Sequence, residues 1–503
     1  MRLGVGSVLS DIRNGTARAG LRGHRLTALV GAALAYFMVQ FGMVPVAVVL
    51  PTVASEFHVD MAHAGWAMTS YLLMLAALAL PAGRLGDVLG LHKVFLAGVV
   101  VFGVATALTG LAASMEQFIA LRALQGAGGA LLLGTTLAIT ASVVPESQRG
   151  RALASTAIAA SVSGMVGSVG AGLAVTYLSW RWLFFLVLPL AALTAKLGVD
   201  MLREAPVASA TKGKRMDILG AVLFSVMLAT LVMSFNHFHD GPETFEAGFA
   251  YHTTLQVVTA VLFVVLLIVE SRVQNPLLVL PNFRNGLFSA AVAANVVVHM
   301  TMASMFFLLP FVIQRGMVLP ALYISAALVS RQVLDISAPA LAGWLYDKTR
   351  SPLLRPVSMA LISVSMLAMA ILSTDLSYVT LVVLTVFAGF GSGAFITTNN
   401  TVLLSALPLS ERGFSGGMLE TTRQLGHTIA VALVAAVVAV VLNGADGVNA
   451  APRLYLEAFR YACFAVAGVS AAGVVVATLG VRRRTAAAQA PQPAVVAGAR
   501  SPD

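Results

Sequence analysis

The sequence predicts an all-α integral membrane protein with about fourteen transmembrane helices. Of its 503 residues, 58% are hydrophobic and only 10% are charged, whereas a soluble domain carries about 25% charged residues. The chain therefore has too little polar surface to face water, and most of its apolar side chains must face lipid. Apolar runs of roughly 20 residues, the length of a membrane-spanning helix, recur along the chain.

These apolar runs define the expected organisation. They cover residues 26–53, 64–83, 93–114, 116–143, 151–177, 180–200, 216–236, 252–271, 286–311, 319–346, 355–374, 377–406, 413–442 and 458–480. We expect two six-helix halves, 26–200 and 286–480, separated by a linker over 201–285 that holds two extra central helices. The tails, 1–25 and 481–503, are expected to be cytoplasmic, and the second to be disordered because it is Ala/Pro-rich and lacks periodicity.

Lys and Arg residues predict the orientation of the chain. They concentrate in both tails and in alternate loops, whereas the other loops hold only Arg181, Arg315, Arg453 and Arg460. Because Lys and Arg favour the cytoplasmic side of a membrane, both termini are expected in the cytoplasm and the protein in the cell membrane. The net charge of +10 does not indicate a nucleic-acid partner, because the basic residues lie in short gaps between apolar runs.

The sequence gives no support for cofactor or metal chemistry. Its one cysteine, Cys463, lies inside an apolar run, so neither a disulfide framework nor a thiolate metal site is available. No HExxH or GxxxxGK[ST] pattern occurs, which leaves ATP-driven transport without a phosphate-binding loop. We expect no cofactor, no metal site and no enzymatic activity.

Two glycine and aspartate patterns lie at predicted helix ends. Gly83-Arg-Leu-Gly-Asp87-Val-Leu-Gly90-Leu-His-Lys93 joins the second and third spans, and Gly343-Trp-Leu-Tyr-Asp347 follows the tenth. Glycine permits a tight turn and close helix approach, and Asp87 can accept hydrogen bonds from a helix N-terminus or a nearby Arg. The repetition is typical of a transporter built from two related halves, with an ordinary basic loop and chance similarity as the alternative.

Two further runs lie inside predicted spans. Arg122-Ala-Leu-Gln125-Gly126 places a charge in the fourth span, which is costly and therefore indicates a functional site; a structural arginine bonded to a carbonyl is the alternative. The fifth span contains a run of small residues that includes Gly164, Gly167, Gly170 and Gly172. Such a run lets helices touch backbone to backbone, which suits an interface that rocks during transport. Tight packing alone is the alternative.

In order and spacing, these patterns resemble the major facilitator superfamily. Gly83, Asp87, Gly90 and Lys93 match its loop signature, and Arg122, Gln125 and Gly126 match its fourth-helix motif, whose Arg is linked in the family to proton coupling. Three further stretches resemble the fourteen-span drug:proton antiporter branch, namely Ser179-Trp-Arg-Trp-Leu-Phe, Glu270-Ser-Arg-Val-Gln-Asn-Pro276 and Arg423-Gln-Leu-Gly426. The resemblance implies a major facilitator-type fold with two extra helices.

The sequence departs from that branch at several positions. Gly42 stands where the first span of the branch usually has Asp, when the chains are aligned on Leu50-Pro51. Ser168 replaces a proline of the fifth-helix motif associated with exporters, and Glu420 stands where Asn is common. One membrane acid is thus missing, which implies that proton coupling has moved to another residue.

Proton coupling needs a group that titrates inside the membrane. Arg331 and Asp335 lie one helical turn apart in the tenth span, and Asp335 is expected to alternate between this pair and a protonated state. His299 in the ninth span is a second candidate, because imidazole titrates at about pH 6.5. A permanent structural ion pair with a hydrogen-bonded histidine is the alternative.

The substrate cavity is expected between the halves, at the bilayer midplane. Glu420 and Arg423 form a polar cluster in the thirteenth span that could gate the inner mouth of the cavity or contact substrate. Other residues at suitable depths are Gln40, Met43, Asn295, His299 and Met302. Methionine suits adaptable apolar surfaces, although lipid contact or core packing is the more common role of any single one.

Together these features predict a secondary active transporter that exports an amphipathic or lipophilic small molecule, a drug or secondary metabolite, in exchange for protons. A transporter of one dedicated substrate, either an importer or an uncoupled facilitator, is the alternative that Gly42 and Ser168 keep open. A receptor or scaffold is disfavoured, because it would have little need for Arg122, Arg331 and Asp335 inside the membrane. The expected partners are the substrate, protons and the lipid bilayer, and the protein is expected to be a monomer.

Overall fold

A computed structural model describes residues 19–144, 149–204, 217–234, 245–274, 276–349, 351, 353–407, 412–442 and 451–489, and no strand occurs among them. The α-helices are α1 (Ala19–Phe41), α2 (Val44–Glu56), α3 (Met61–Leu89), α4 (Leu91–Thr109), α5 (Met115–Val143), α6 (Arg149–Tyr177), α7 (Trp182–Phe185), α8 (Leu188–Glu204), α9 (Ile218–Met233), α10 (Phe245–Glu270), α11 (Gly286–Phe311), α12 (Ala321–Thr349), α13 (Leu354–Leu372), α14 (Tyr378–Ser405), α15 (Arg412–Leu442) and α16 (Pro452–Gln489).

The all-α membrane architecture predicted from the sequence is confirmed. Within the described residues, twelve helical segments are long and apolar enough to cross a membrane, compared with the expected count of about fourteen. Two predicted runs do not meet both requirements. Helix α9 is apolar but has only 16 residues, and α12 has 29 residues but its apolar run is interrupted by Arg331, Gln332 and Asp335.

Polar side chains fix where several helices begin. The carboxylate of Asp60 accepts a hydrogen bond from the His63 amide at 2.6 Å, and the Asp217 carboxylate accepts one from the Gly220 amide at 2.8 Å. Asn285 caps α11 by accepting from the Leu287 amide at 3.0 Å. Each side chain satisfies a backbone N–H that has no partner in the first turn of a helix, so the sequence itself marks these starts.

The first span is broken, although its apolar run is continuous. Helix α1 ends at Phe41 and α2 begins at Val44, with Gly42 and Met43 between them. Pro45 lies in the first turn of α2, where its missing N–H removes no helical hydrogen bond. An apolar pattern cannot reveal such a break, because both sides of it remain buried in the same core.

The end of α16 corrects one expectation. The helix continues to Gln489, so residues 481–489 are helical, whereas the sequence predicted a disordered tail from residue 481. The arginine and alanine residues after Val481 favour a helix, and the first proline that interrupts this run is Pro491. The remainder of that predicted tail, 490–503, lies outside the described residues.

The helices before residue 204, called here the N-terminal helices, meet the helices after residue 286, the C-terminal helices, along two seams. Helix α3 packs against α15 in one seam, and α6 packs against α12 in the other. Helix α9 packs on the outside of the first seam, where the Ser225 hydroxyl donates to the Ala77 carbonyl at 3.0 Å. Helix α10 packs against α9, and few of its side chains are buried.

The bundle is closed at the end where α2 terminates. Arg315 donates to the Pro51 carbonyl at 3.4 Å and to the Ser55 hydroxyl, and Ser325 donates to the Ser168 carbonyl at 2.6 Å. Among the described residues, every hydrogen bond between N-terminal and C-terminal helices lies at this end or deeper in the middle of the bundle. In the orientation predicted above, the closed end is extracellular.

Candidate functional site

A buried ion pair on α15 is connected to α1. Glu420 is 5% exposed, and its Oε1 accepts hydrogen bonds from Arg423 Nη2 at 2.7 Å and Gln424 Nε2 at 2.8 Å. Its Oε2 accepts from the Tyr36 hydroxyl on α1 at 3.1 Å. A carboxylate at this depth requires a counter-charge and hydrogen-bond donors, and this group has both. We call these four residues the Glu420 cluster, and it spans the interface between N-terminal and C-terminal helices.

Arg122 forms a second buried centre within the N-terminal helices. Its side chain is fully buried, with Nε donating to the Ala67 carbonyl at 3.1 Å and Nη1 donating to Gln125 Oε1 at 2.5 Å. Gln125 donates onward to Thr106 at 2.7 Å. These bonds tie α3, α4 and α5 together, and no carboxylate among the described residues joins them. Arg122 Nη2 has no hydrogen-bond partner there.

Tyr71 occupies the space beside the break in the first span. Its hydroxyl donates to the Val39 carbonyl at 2.6 Å, and its ring lies 4.1 Å from the Arg122 guanidinium carbon. A Cβ atom added at Gly42 would lie 2.8 Å from the Tyr71 hydroxyl oxygen. No acidic side chain could therefore be placed at residue 42 without displacing Tyr71.

Two histidines meet between α11 and α15. His299 Nδ1 lies 3.2 Å from His427 Nε2, and both side chains are buried. A hydrogen bond between two imidazoles needs one N–H and one lone pair, so at least one ring is neutral. One turn earlier, Asn295 donates to the Thr422 hydroxyl at 2.8 Å, so the two helices are joined by polar pairs at successive turns.

Arg331 is buried on α12, where Gly389 of α14 makes room for it. A Cβ atom at Gly389 would lie 2.7 Å from Arg331 Cγ. The guanidinium carbon lies 4.6 Å from the centre of the Phe306 ring, and Nη1 lies 3.5 Å from the Met302 carbonyl oxygen. Asp335 lies one turn further along α12, but its side chain is outside the described residues, so its pairing with Arg331 stays a prediction.

The predicted loop signature coincides with the junction of α3 and α4. Gly90 has φ +99°, a conformation that favours glycine, and it lets the chain turn directly from one helix into the next. Gly83 faces the Gly134 carbonyl of α5, which a Cβ atom would approach to 3.3 Å, and Lys93 is exposed. The side chain of Asp87, and those at the repeated positions Gly343 and Asp347 on α12, lie outside the described residues.

The predicted glycine runs lie at close helix contacts, with one exception. A Cβ atom at Gly126 would overlap the Tyr71 carbonyl, and one at Gly167 would overlap Pro45. Gly164 and Gly172 face Gln332 and Ser325 of α12 across the second seam, whereas Gly170 faces open space. The glycine run of the fifth span, on α6, therefore contacts both N-terminal and C-terminal helices.

Several predicted cavity residues are not brought together. Gln40 is half-buried at the end of α1, Met43 is buried at the break, and Met302 is half-buried on α11. Among the described residues, no hydrogen bond joins the side chain of Gln40 to Glu420 or to His299. A cavity of about 10 Å³, the size of a single water site, lies within the N-terminal helices beside Gln125, and it is lined by Met38, Phe41, Gly42, Val46, Phe102, Thr106, Gln125, Leu183, Phe184 and Val187.

The sequence analysis missed Tyr36, Tyr71 and His427. A signal for His427 was present, because Glu420, Arg423, Gln424 and His427 follow an i, i+3, i+4, i+7 spacing that puts them on one face of a helix. Tyr36 and Tyr71 carried no such signal, because a single tyrosine in an apolar run is an ordinary core residue.

These features define a multi-pass membrane transporter, in which buried charged and polar side chains lie where two sets of helices meet. The sequence matches the Major Facilitator Superfamily over residues 32–431 and 294–501, and the chain belongs to this superfamily.

The chain is also similar to individual transporters and to a transporter structure. The chain is 25% identical over 382 residues to the riboflavin transporter RibZ of Clostridioides difficile (strain 630), covering 76% of this chain and 81% of the relative. It is 26% identical over 428 residues to the tetracenomycin C resistance and export protein of Streptomyces glaucescens, covering 84% and 78%. The crystal structure of a bacterial homolog of the human lysosomal transporter Spinster, inward-facing and unoccupied, superposes with a TM-score of 0.63 at 14% identity, covering 93% of this chain and 98% of that one.

Proposed function

We propose that this protein exports an amphipathic or lipophilic small molecule from the cytoplasm, in exchange for protons, by alternating access across the cell membrane. The observation that carries the proposal is the Glu420 cluster, because it places a titratable carboxylate at the interface that alternating access must rearrange. Its bond to Tyr36 crosses from one set of helices to the other at 3.1 Å. A relative named as a resistance and export protein supports the direction.

The contacts at the closed end indicate how the cycle proceeds. To open this end, the bodies 26–200 and 286–480 must separate Arg315 from Ser55 and Ser325 from Ser168. The same rocking motion changes the distance between Tyr36 on α1 and Glu420 on α15. Protonation of Glu420 removes the charge that holds Arg423, so proton binding and the state of the interface are linked. Asp335 and His299 remain candidates for a second titrating group.

Proton coupling can be tested in everted membrane vesicles that contain an acidic interior and a fluorescent pH indicator. Addition of an exported compound outside is expected to release protons from the wild-type vesicles, because each exported molecule enters the vesicle as protons leave. Glu420→Gln is expected to abolish the signal, and Arg272→Gln, at an exposed position, is the matched control. Uptake of compound by Glu420→Gln vesicles with unchanged proton release would refute the role of Glu420.

A dedicated-substrate transporter without proton coupling is the second candidate. Gly42 favours it, because no carboxylate among the described residues bonds to Arg122 and a side chain at residue 42 would displace Tyr71. A similar protein named as a riboflavin transporter supports this candidate, because that name gives a single substrate. Uptake of one compound into the same vesicles, with no release of protons by wild-type protein, would favour this candidate.

A further inference from the structure

We infer that Asp217 and Glu270 share one proton, and that this proton holds the segment 276–285, called here the connecting segment, against the N-terminal helices. In the predicted orientation this site lies at the cytoplasmic end of α9 and α10, away from the Glu420 cluster. It goes beyond the proposed function, because it depends neither on the direction of transport nor on the role of Glu420.

Two carboxylate oxygens meet beside Gly220 without a hydrogen-bond donor. Asp217 uses Oδ1 to accept from the Gly220 amide at 2.8 Å, where α9 begins, and Glu270 uses Oε2 to accept from the Leu278 amide at 3.0 Å. Their other oxygens, Oδ2 and Oε1, are buried and have no hydrogen-bond partner in the part of the chain that the structure describes. A Cβ atom on Gly220 would lie 2.5 Å from Glu270 Oε1 and would overlap Asp217 Oδ2, so both oxygens face one point.

Burial makes two negative charges at this point costly. Glu270 is only 3% exposed, and Asp217 and Arg84 are both close enough for their charges to act on it. Arg84, the basic side chain that faces the pair among the described residues, offsets one of the two negative charges. A proton on one carboxyl group removes the other charge and supplies an O–H donor to the neighbouring oxygen. Two carboxyl groups that interact in this way bind the proton as a pair.

A proton suits this site better than a metal ion does. Ca²⁺ and Mg²⁺ take about six or more oxygen ligands, whereas the pair offers two free carboxylate oxygens. The nearby Arg84 guanidinium repels a divalent cation, but it does not repel a neutral carboxyl group. A single proton brings the net charge of Asp217, Glu270 and Arg84 to zero.

The connecting segment joins the two sets of helices at the cytoplasmic end. At its start, Arg84 Nη2 on α3 donates to the Pro276 carbonyl at 3.0 Å, and Leu277 is buried in an apolar cluster with side chains of α3 and α9. At its end, the Asn285 side chain donates to the Ala406 carbonyl, which follows α14, at 2.7 Å. When one set of helices rocks against the other, the segment must move relative to one of these two attachments.

Glu270 links the proton to the connecting segment. Its bond to the Leu278 amide fixes the chain next to the buried Leu277. Loss of the proton leaves two carboxylates facing each other, and their repulsion separates α9 from the end of α10 and weakens this attachment. Because the attached state binds one more proton than the released state, the segment is attached at acidic pH and released as the pH rises.

Infrared spectroscopy of the purified full-length protein tests the proton site directly. Near neutral pH, the wild-type protein is expected to show the C=O stretching band of a protonated carboxyl group. Asp217→Asn and Glu270→Gln are each expected to lose this band completely, because the acid that remains is paired with Arg84 and is ionised. Glu457→Gln, at an exposed position, is the matched control and is expected to keep the whole band. A band that survives in either site variant overturns the shared proton.

The attachment of the connecting segment is tested by the reaction of a thiol reagent with a cysteine introduced at Leu277. Labelling is expected to be slow in this background and to stay slow with Asp217→Asn, whose amide donates in place of the shared proton. Gly220→Ala displaces both carboxyl groups and is expected to raise the labelling rate at least about tenfold. Gly170→Ala, where nothing lies within 4 Å of the new methyl group, is the matched control.

Equal labelling of the Gly220→Ala and Gly170→Ala variants overturns the attachment by the carboxyl pair. Size-exclusion chromatography shows whether each variant is folded, and the infrared test does not need the Gly220 substitution. Neither measurement uses transport, so failure of this inference leaves the proposed export function intact, and failure of proton release in the vesicle assay leaves this site intact.

Discussion

Replacing Glu420 by Gln is expected to destabilise the protein by about 3–5 kcal/mol, because it leaves the largely buried Arg423 side chain without its counter-charge. Counting side-chain atoms alone, Glu420 is 6% exposed and Arg423 is 16% exposed, and the ion-pair distance is 2.7 Å. A solvent-exposed pair at this spacing would contribute only about 0–1 kcal/mol. Glutamine also offers a single acceptor oxygen to the three donors that Glu420 now binds, so at least one donor loses its partner.

A double-mutant cycle measures this coupling. Glu420→Gln, Arg423→Gln and the double variant are unfolded with denaturant in detergent, and the free energy of unfolding is followed by intrinsic fluorescence. The double variant is expected to lose less stability than the two single variants combined, by about 2–3 kcal/mol. Glu457 and Arg460, exposed on α16 at the same i,i+3 spacing, form the control cycle, with an expected coupling below about 0.5 kcal/mol. Additive losses at Glu420 and Arg423 would refute the assignment of a buried, interacting pair.

Two further predictions concern the interface between the helix sets. Gly172→Ala is expected to slow transport by about tenfold or more, because the new methyl group overlaps Ser325 across the second seam, whereas Gly170→Ala, where nothing lies within 4 Å, is expected to stay within about twofold. Vesicle uptake checks both variants, and equal effects would contradict the seam contact. Cysteines introduced at Gly172 and Ser325, whose Cβ atoms would lie 3.1 Å apart, are expected to form a disulfide and block transport at the closed end, with reducing agent restoring it. Cross-linking through the native cysteine is expected to be low, because Cys463 is buried. Full activity of the cross-linked protein would show that this end need not open.

Most helices were predictable because a helix that crosses lipid needs a run of about 20 apolar residues. The predicted runs 151–177 and 377–406 differ by at most two residues from the helices Arg149–Tyr177 and Tyr378–Ser405. The run 64–83 falls short of Met61–Leu89, because the helix continues past the apolar stretch into Arg84 and Gly86. Hydropathy detects the part of a helix that faces lipid, and backbone hydrogen bonding extends the helix beyond it.

The candidate site was only partly predictable, and the reason is geometric. A charge in an apolar run is visible in the sequence, which is why Arg122, Arg331, Glu420 and Arg423 were identified. Their partners come from distant parts of the chain: Tyr36 lies 384 residues from Glu420, and His427 lies 128 residues from His299. Local spacing can place Glu420 and His427 on one helix face, but only the packing of α1 and α11 against α15 determines what that face meets.

The glycine at residue 42, where the related branch usually has Asp, bears on both the Arg122 centre and the Glu420 cluster. With no acid in the first span, Arg122 is held by an amide, a carbonyl and the Tyr71 ring, none of which carries a negative charge. Among the described side chains, Glu420 is the buried acid at the interface, and it is bound to Arg423. In the proposed cycle, proton exchange at Glu420 is linked to movement of α1 against α15, because its carboxylate accepts a hydrogen bond from Tyr36. Exchange of one proton inward for one neutral molecule outward moves one positive charge into the cell, so an interior-negative membrane potential drives the cycle in the export direction.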